Sequence, residues 1–96
     1  MRRAYLLIYG DRTGTRETIK AWANSEPLII TWRTDLPHSF YIISEGTAGQ
    51  LSVSLRNCVG RRARFLIAEI GENRQGWLPP ETWYFFRNKA IKPKTN

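Results

Sequence analysis

Two β-rich runs, residues 28–33 and 39–44, lie side by side in this chain with only five residues between them, Thr34-Asp35-Leu36-Pro37-His38. A turn segment that short, with a proline in it, leaves room for an antiparallel hairpin and little else. On each side of the hairpin the hydrophobic spacing changes from period two to the helical period. Beyond each helix-patterned stretch lies one further β-rich run. The hairpin is therefore the centre of a βαββαβ order, and that order limits the folds open to the chain more than any other feature.

The first run, Ala4-Tyr5-Leu6-Leu7-Ile8-Tyr9, is stopped by Gly10-Asp11, and the last, residues 63–70, by Gly71-Glu72-Asn73. Thr15 caps a predicted helix in which Ile19, Trp22 and Ala23 fall on one face and Arg16, Glu17 and Lys20 on the other, with Pro27 beyond its end. Thr47-Ala48-Gly49-Gln50 is a capping-box pattern. The spacing Ala48, Leu51, Leu55, Cys58 then gives the second helix an apolar face, so Cys58 is expected in the core, and Gly60 ends the helix. In the segment 77–86, Pro80 followed by Glu81 favours a short terminal helix, with a fifth strand as the competing reading.

With right-handed crossovers these elements make an α+β, ferredoxin-like βαββαβ domain: a four-stranded antiparallel sheet in the order 4-1-3-2, both helices on one face, plus the C-terminal element. Ninety-six residues suffice for one such domain, expected over residues 1–86. The strands are apolar on both sides: Tyr5, Leu7 and Tyr9 oppose Leu6 and Ile8, Phe40 and Ile42 oppose Tyr41 and Ile43, and Phe65 and Ile67 oppose Leu66, Ala68 and Ile70. Both faces want cover. The aromatic group Trp77, Trp83, Tyr84, Phe85 and Phe86 can cover part of the second face, and a second copy of the chain can cover the rest, which predicts a homodimer.

A formal charge of +7 invites phosphate-rich partners, although four of those charges, Arg87, Lys89, Lys92 and Lys94, sit in residues 87–96, expected to be a basic, flexible tail. The predicted topology brings the end of strand 1, the start of helix 1, the end of strand 2 and the starts of strands 3 and 4 to one pole. Asp11, Arg12, Arg16, Arg33, Asp35, His38, Arg61 and Arg62 belong there. Arg12, Arg16, Arg33, Arg61, Arg62 and Arg64 are accordingly the candidate nucleic-acid-binding residues. Arg12, Thr13, Thr15 and Arg16 surround a helix N-terminus that suits a phosphate, without P-loop glycine spacing.

Other chemistries are poorly supplied. The longest apolar run has six residues, against the ~20 that span a membrane, and no small-residue cleavage site follows it, which predicts a cytoplasmic chain with no membrane partner. One cysteine and one histidine exclude internal disulfides and paired-histidine zinc motifs. Asp35, His38 and Ser39 hold an acid, a base and a hydroxyl, but residues so close along a turn seldom reach triad geometry. Asp11 is the candidate metal ligand: one carboxylate at a strand end, able to share Mg²⁺ with its copy across a dimer axis, or else to accept backbone N–H bonds in its own loop. No cofactor is required, with Mg²⁺ as the alternative. The RNA-recognition motif K/R-G-F/Y-G/A-F-V-x-F/Y is absent from both inner-strand candidates.

Tyr5-Leu6-Leu7-Ile8-Tyr9-Gly10-Asp11, the hairpin Thr31 to Ile43 and the helix starting Thr47-Ala48-Gly49-Gln50-Leu51 resemble small bacterial SinR-like proteins, which in turn resemble the small ferredoxin-like subunit of CRISPR adaptation complexes and the VapD-type ribonucleases. The likeness spans about residues 4 to 70 and lies in pattern and element order. It implies a dimer with a nucleic-acid-binding or metal-dependent ribonuclease role, in which Asp11 matches the acid after strand 1. Gly10, Arg12 and the Gly76-Trp77-Leu78-Pro79-Pro80 segment depart from that pattern. The expected function is nucleic-acid binding, RNA or DNA, through the basic pole. The alternatives are the metal-dependent ribonuclease and a toxin–antitoxin module facing an acidic protein partner.

Overall fold

The computed structural model describes residues 1–93. It has β1 (Arg3–Tyr9), a single 3-10 turn (Asp11–Thr13), α1 (Arg16–Ser25), β2 (Ile29–Arg33), β3 (Ser39–Ser44), α2 (Ala48–Val59), β4 (Phe65–Glu69) and α3 (Pro80–Asn88). The strands form one antiparallel sheet in the order β2-β3-β1-β4, which counted from the β4 edge is 4-1-3-2. β1 pairs with β3 through Tyr5 opposite Ile42 and Leu7 opposite Phe40, and with β4 through Leu6 opposite Ala68 and Ile8 opposite Leu66. No helix among the described residues is long and apolar enough to cross a membrane.

Local chemistry sets the helix limits. Thr15 accepts from the Thr18 backbone N–H (3.2 Å), and Thr47 and Gln50 form a complete capping box, satisfying donors that the first turn leaves unpaired. Gly14, at φ 134°, lies where a side chain is strained, and a Cβ there would meet Thr18 at 3.2 Å. α3 begins with Pro80 at its first position, so the terminal element is a helix rather than a fifth strand. It runs past the expected domain end at residue 86: Arg87 and Asn88 are helical, and Lys89 closes it in the left-handed conformation, its N–H donating to Phe85 O (2.8 Å). The folded body thus takes in the first residues assigned to the tail. Lys94 to Asn96 lie outside the described residues.

The sheet is apolar on both faces because each face has its own core. Tyr5, Leu7, Tyr9, Phe40 and Ile42 pack under α1 and α2 with Ile19, Trp22, Ala23, Leu51 and Leu55. Ala4, Tyr41 and Ile43 pack on the other face against Phe85 and Phe86 of α3. Cys58 corrects the sequence reading: it is exposed, and Val59 packs against the first core in its place. Four residues on from Leu55, Val59 continues the buried stripe, whereas Cys58 falls to its side in the last turn.

A polar bridge ties α1 to α2. Trp22 Nε1 donates to Ser54 Oγ (2.9 Å), Ser54 donates to Glu26, and Glu26 also accepts from the Leu28 N–H (3.0 Å). These bonds favour the carboxylate, the Ser54 bond most, and hold Glu26 below its ordinary value of 4.5 against the opposing effect of desolvation. A carboxyl whose folded pKa is depressed stabilises the fold above its unfolded pKa and loses that contribution as pH falls through the folded value. The stability of the wild-type chain, measured by urea unfolding, is therefore expected to fall more than that of Glu26→Gln as pH is lowered from about 5 towards 3. Parallel curves would show that the bridge carries no charge-dependent stability.

Candidate functional site

Strand order and register bring the chain's crossings together at one pole. The Gly10 N–H donates to Arg64 O and the Tyr9 N–H to His38 O, both at 3.0 Å, so the end of β1 is bonded to the approaches of β4 and β3. Buried Thr13 fastens the same corner, its hydroxyl donating to Arg64 O (2.7 Å) and accepting from the Arg64 N–H (3.2 Å). Asp11 and Arg12 lie in the 3-10 turn, Arg16 opens α1, Arg33 ends β2, and Arg61, Arg62 and Arg64 lie between α2 and β4.

The acids of the pole are taken. His38 Nε2 lies 2.8 Å from Asp11 Oδ1, and its ring meets Tyr9 edge-on at 5.6 Å and 76°. This corrects the loop reading of Asp11, since its partner is an imidazole from the hairpin turn rather than a run of backbone N–H groups. His38 holds φ 59°, a left-handed conformation uncommon for a residue with a side chain. Burial pushes the Tyr9 phenol up, opposed by the Arg16 charge, so it stays a neutral hydrogen-bonding group at pH 7. Tyr9, Asp11, Thr15, Arg16, Pro37 and His38 line a cavity of about 330 Å³.

Arg33 is also committed. Its Nε and Nη2 donate to both oxygens of Asp35 (3.2 and 3.1 Å) and Nε donates to Thr82 Oγ1 (2.6 Å), while Thr82 donates to Asp35. The pair locks α3 onto the hairpin, so this guanidinium works inside the fold, unlike the free nucleic-acid contact expected from the sequence. Removing one partner of a partly buried ion pair strands the other. Asp35→Ala is expected to cost about 1 to 3 kcal/mol in urea unfolding, reduced from the fully buried case because solvent still reaches the arginine; a change under about 0.5 kcal/mol would contradict the locking role.

The remaining expectations divide. Asp35, His38 and Ser39 do not form a triad: Asp35 holds Arg33, His38 meets Asp11, and Ser39 Oγ donates to Leu36 O (3.1 Å). Around the α1 N-terminus, Thr13 and Thr15 spend their hydroxyls on Arg64 and the cap, and Arg16 Nη2 donates to Thr34 Oγ1 (2.9 Å). Arg12, Arg61, Arg62 and Arg64 are exposed, and among the described residues their guanidinium groups make no hydrogen bond or ion pair. No group of three His, Cys, Asp or Glu residues is gathered among the described residues, and no second carboxylate stands beside Asp11.

The sequence places Asp11 and His38 at one pole without pairing them, because their contact depends on which way the hairpin turn folds. It expects the second sheet face to be partly open but counts Trp77 in its cover, whereas the indole stands fully exposed. α3 covers only part of that face, leaving Ile8 47%, Leu66 61% and Trp77 100% exposed. Compared with known protein families, curated proteins and solved structures, the chain matches none.

Proposed function

We propose that this chain is a ferredoxin-like protein that binds nucleic acid through the arginines of its pole. The observation that carries this reading is a charge imbalance. Of the acids at the pole, Asp35 is paired with Arg33 and Asp11 is in contact with His38, whereas four guanidinium groups, those of Arg12, Arg61, Arg62 and Arg64, are exposed with no side-chain partner among the described residues. Uncompensated guanidinium groups on a rigid corner suit phosphate oxygens, which accept their forked donors. Binding of this kind reads the backbone and releases counterions, so it is salt-dependent and only weakly sequence-selective.

The βαββαβ element order and the 4-1-3-2 sheet support the ferredoxin-like assignment. A homodimer belongs to the same proposal: no described strand pairs with the outer edge of β4, and antiparallel pairing of two β4 strands about Ile67 would set Leu66 of each copy opposite the smaller Ala68 of the other. A monomeric mass in light scattering at micromolar concentration would remove the dimer. The binding reading is tested by anisotropy with labelled single-stranded RNA and DNA at about 50 mM salt, where binding is expected, and at about 200 mM, where it should be much weaker. Failure of both nucleic acids to bind at low salt overturns it.

A further inference from the structure

An apolar groove of about 440 Å³ crosses the uncovered part of the second sheet face, floored by Leu6, Ile8 and Tyr41 and walled by Leu36, Leu78 and Trp77. Neither lysine, arginine, aspartate nor glutamate lines it. Its surroundings are different. At one end it shares Pro37 and His38 with the cavity that holds Asp11 and Arg16. At the other, the Gly76-Trp77-Leu78 wall is shared with a cavity of about 820 Å³ that also contains Arg74, Arg87, Trp83 and one acid, Glu72. Trp77 is fully exposed between the two. An indole left wholly in water on a rim shared by two cavities has no role in packing this protomer.

Resting on the reading above, we propose that the nucleic acid is single-stranded and that it runs from the arginine pole across this groove, with a base stacked on Trp77 and a phosphate reaching Arg87 beyond it; Arg74 is held by Gly71 O (2.8 Å) and the Phe86 ring. The occupant follows from charge complementarity: a groove without Lys, Arg, Asp or Glu, with Trp77 on its wall, Arg16 beside Asp11 towards one end and two arginines against the single acid Glu72 towards the other, matches a strand of apolar base faces joined by phosphates. A duplex hides its bases and offers nothing for the indole.

Trp77→Ala tests this directly, because Trp77 is fully exposed and its loss leaves the fold intact, which an unchanged thermal midpoint verifies. In anisotropy titrations with a labelled 12-nucleotide single strand, Trp77→Ala is expected to bind about ten- to a hundred-fold more weakly than wild type with an unchanged salt slope, and Trp77→Phe to recover much of the loss. Wild type is expected to prefer the single strand over a duplex of the same sequence, and its tryptophan emission to be quenched on binding in a way Trp77→Ala lacks. Equal affinity of Trp77→Ala and wild type for the single strand overturns the groove proposal while leaving pole binding standing. Conversion of a dimer to a monomer by Trp77→Ala without loss of affinity overturns it in favour of a second copy. No binding by wild type at low salt removes the underlying reading itself.

Discussion

Phe85→Ala is expected to destabilise the chain by about 3 to 5 kcal/mol, a large share of the 5 to 15 kcal/mol typical of a domain. Phe85 is 1% exposed and sits in the second core with Ala4, Tyr41, Ile43 and Phe86. The size of the effect follows from how little else holds α3. Nine residues are too few for a helix to persist alone, and its N-terminus has no side-chain cap. Its anchors are Phe85 and Phe86, with Trp83 packed beside them, the bonds of Thr82 to Arg33 and Asp35, and the bond from Arg2 to Lys89 O just past its end. Truncating Phe85 removes a buried ring and loosens the one helix that, among the described residues, covers the second face. Urea unfolding followed by circular dichroism measures the loss, and dye binding to exposed apolar surface should rise with it. A cost below about 1.5 kcal/mol would mean that α3 is not the cover of this face.

The second large effect is expected from replacing Arg61, Arg62 and Arg64 with alanine together. All three are exposed and, among the described residues, unpaired in their side chains, so the fold should tolerate the change within about 0.5 kcal/mol. Affinity should not. If each guanidinium neutralises one phosphate of a single strand, the counterion term lost at 0.1 M salt is about two decades, or roughly a hundred-fold in dissociation constant. Arg33→Ala is a useful contrast, since that guanidinium is spent on Asp35 and Thr82. Its loss should appear mainly in stability.

The order of elements was legible because each carried its own local signal: the β-rich runs, the Thr15 cap, the Thr47-Gln50 capping box and Pro80 at a helix start. The need for cover on both faces of the sheet could also be read, from alternate apolar residues on opposite sides of β1 and β3, and the structure supplies two cores. The side-chain partners were not legible. Whether Asp11 meets backbone or His38, and whether Arg33 faces solvent or Thr82, depends on turn geometry and on where α3 lands, neither of which has a period in sequence. Cys58 failed for a related reason, since near a helix end the buried stripe is set by the angle at which the helix leaves the sheet. Trp77 lies in a segment without periodicity, so its exposure could be known only once its neighbours were placed.

The most direct test of the central claim is the slope of log affinity against log salt for a single strand, measured in parallel for wild type and the Arg61, Arg62, Arg64 triple alanine variant. With about 0.7 of a counterion released per phosphate contact, wild type should show a steep negative slope and the variant one shallower by about 2. Identical slopes, or no measurable binding by wild type at about 50 mM salt, would contradict nucleic-acid recognition by this pole.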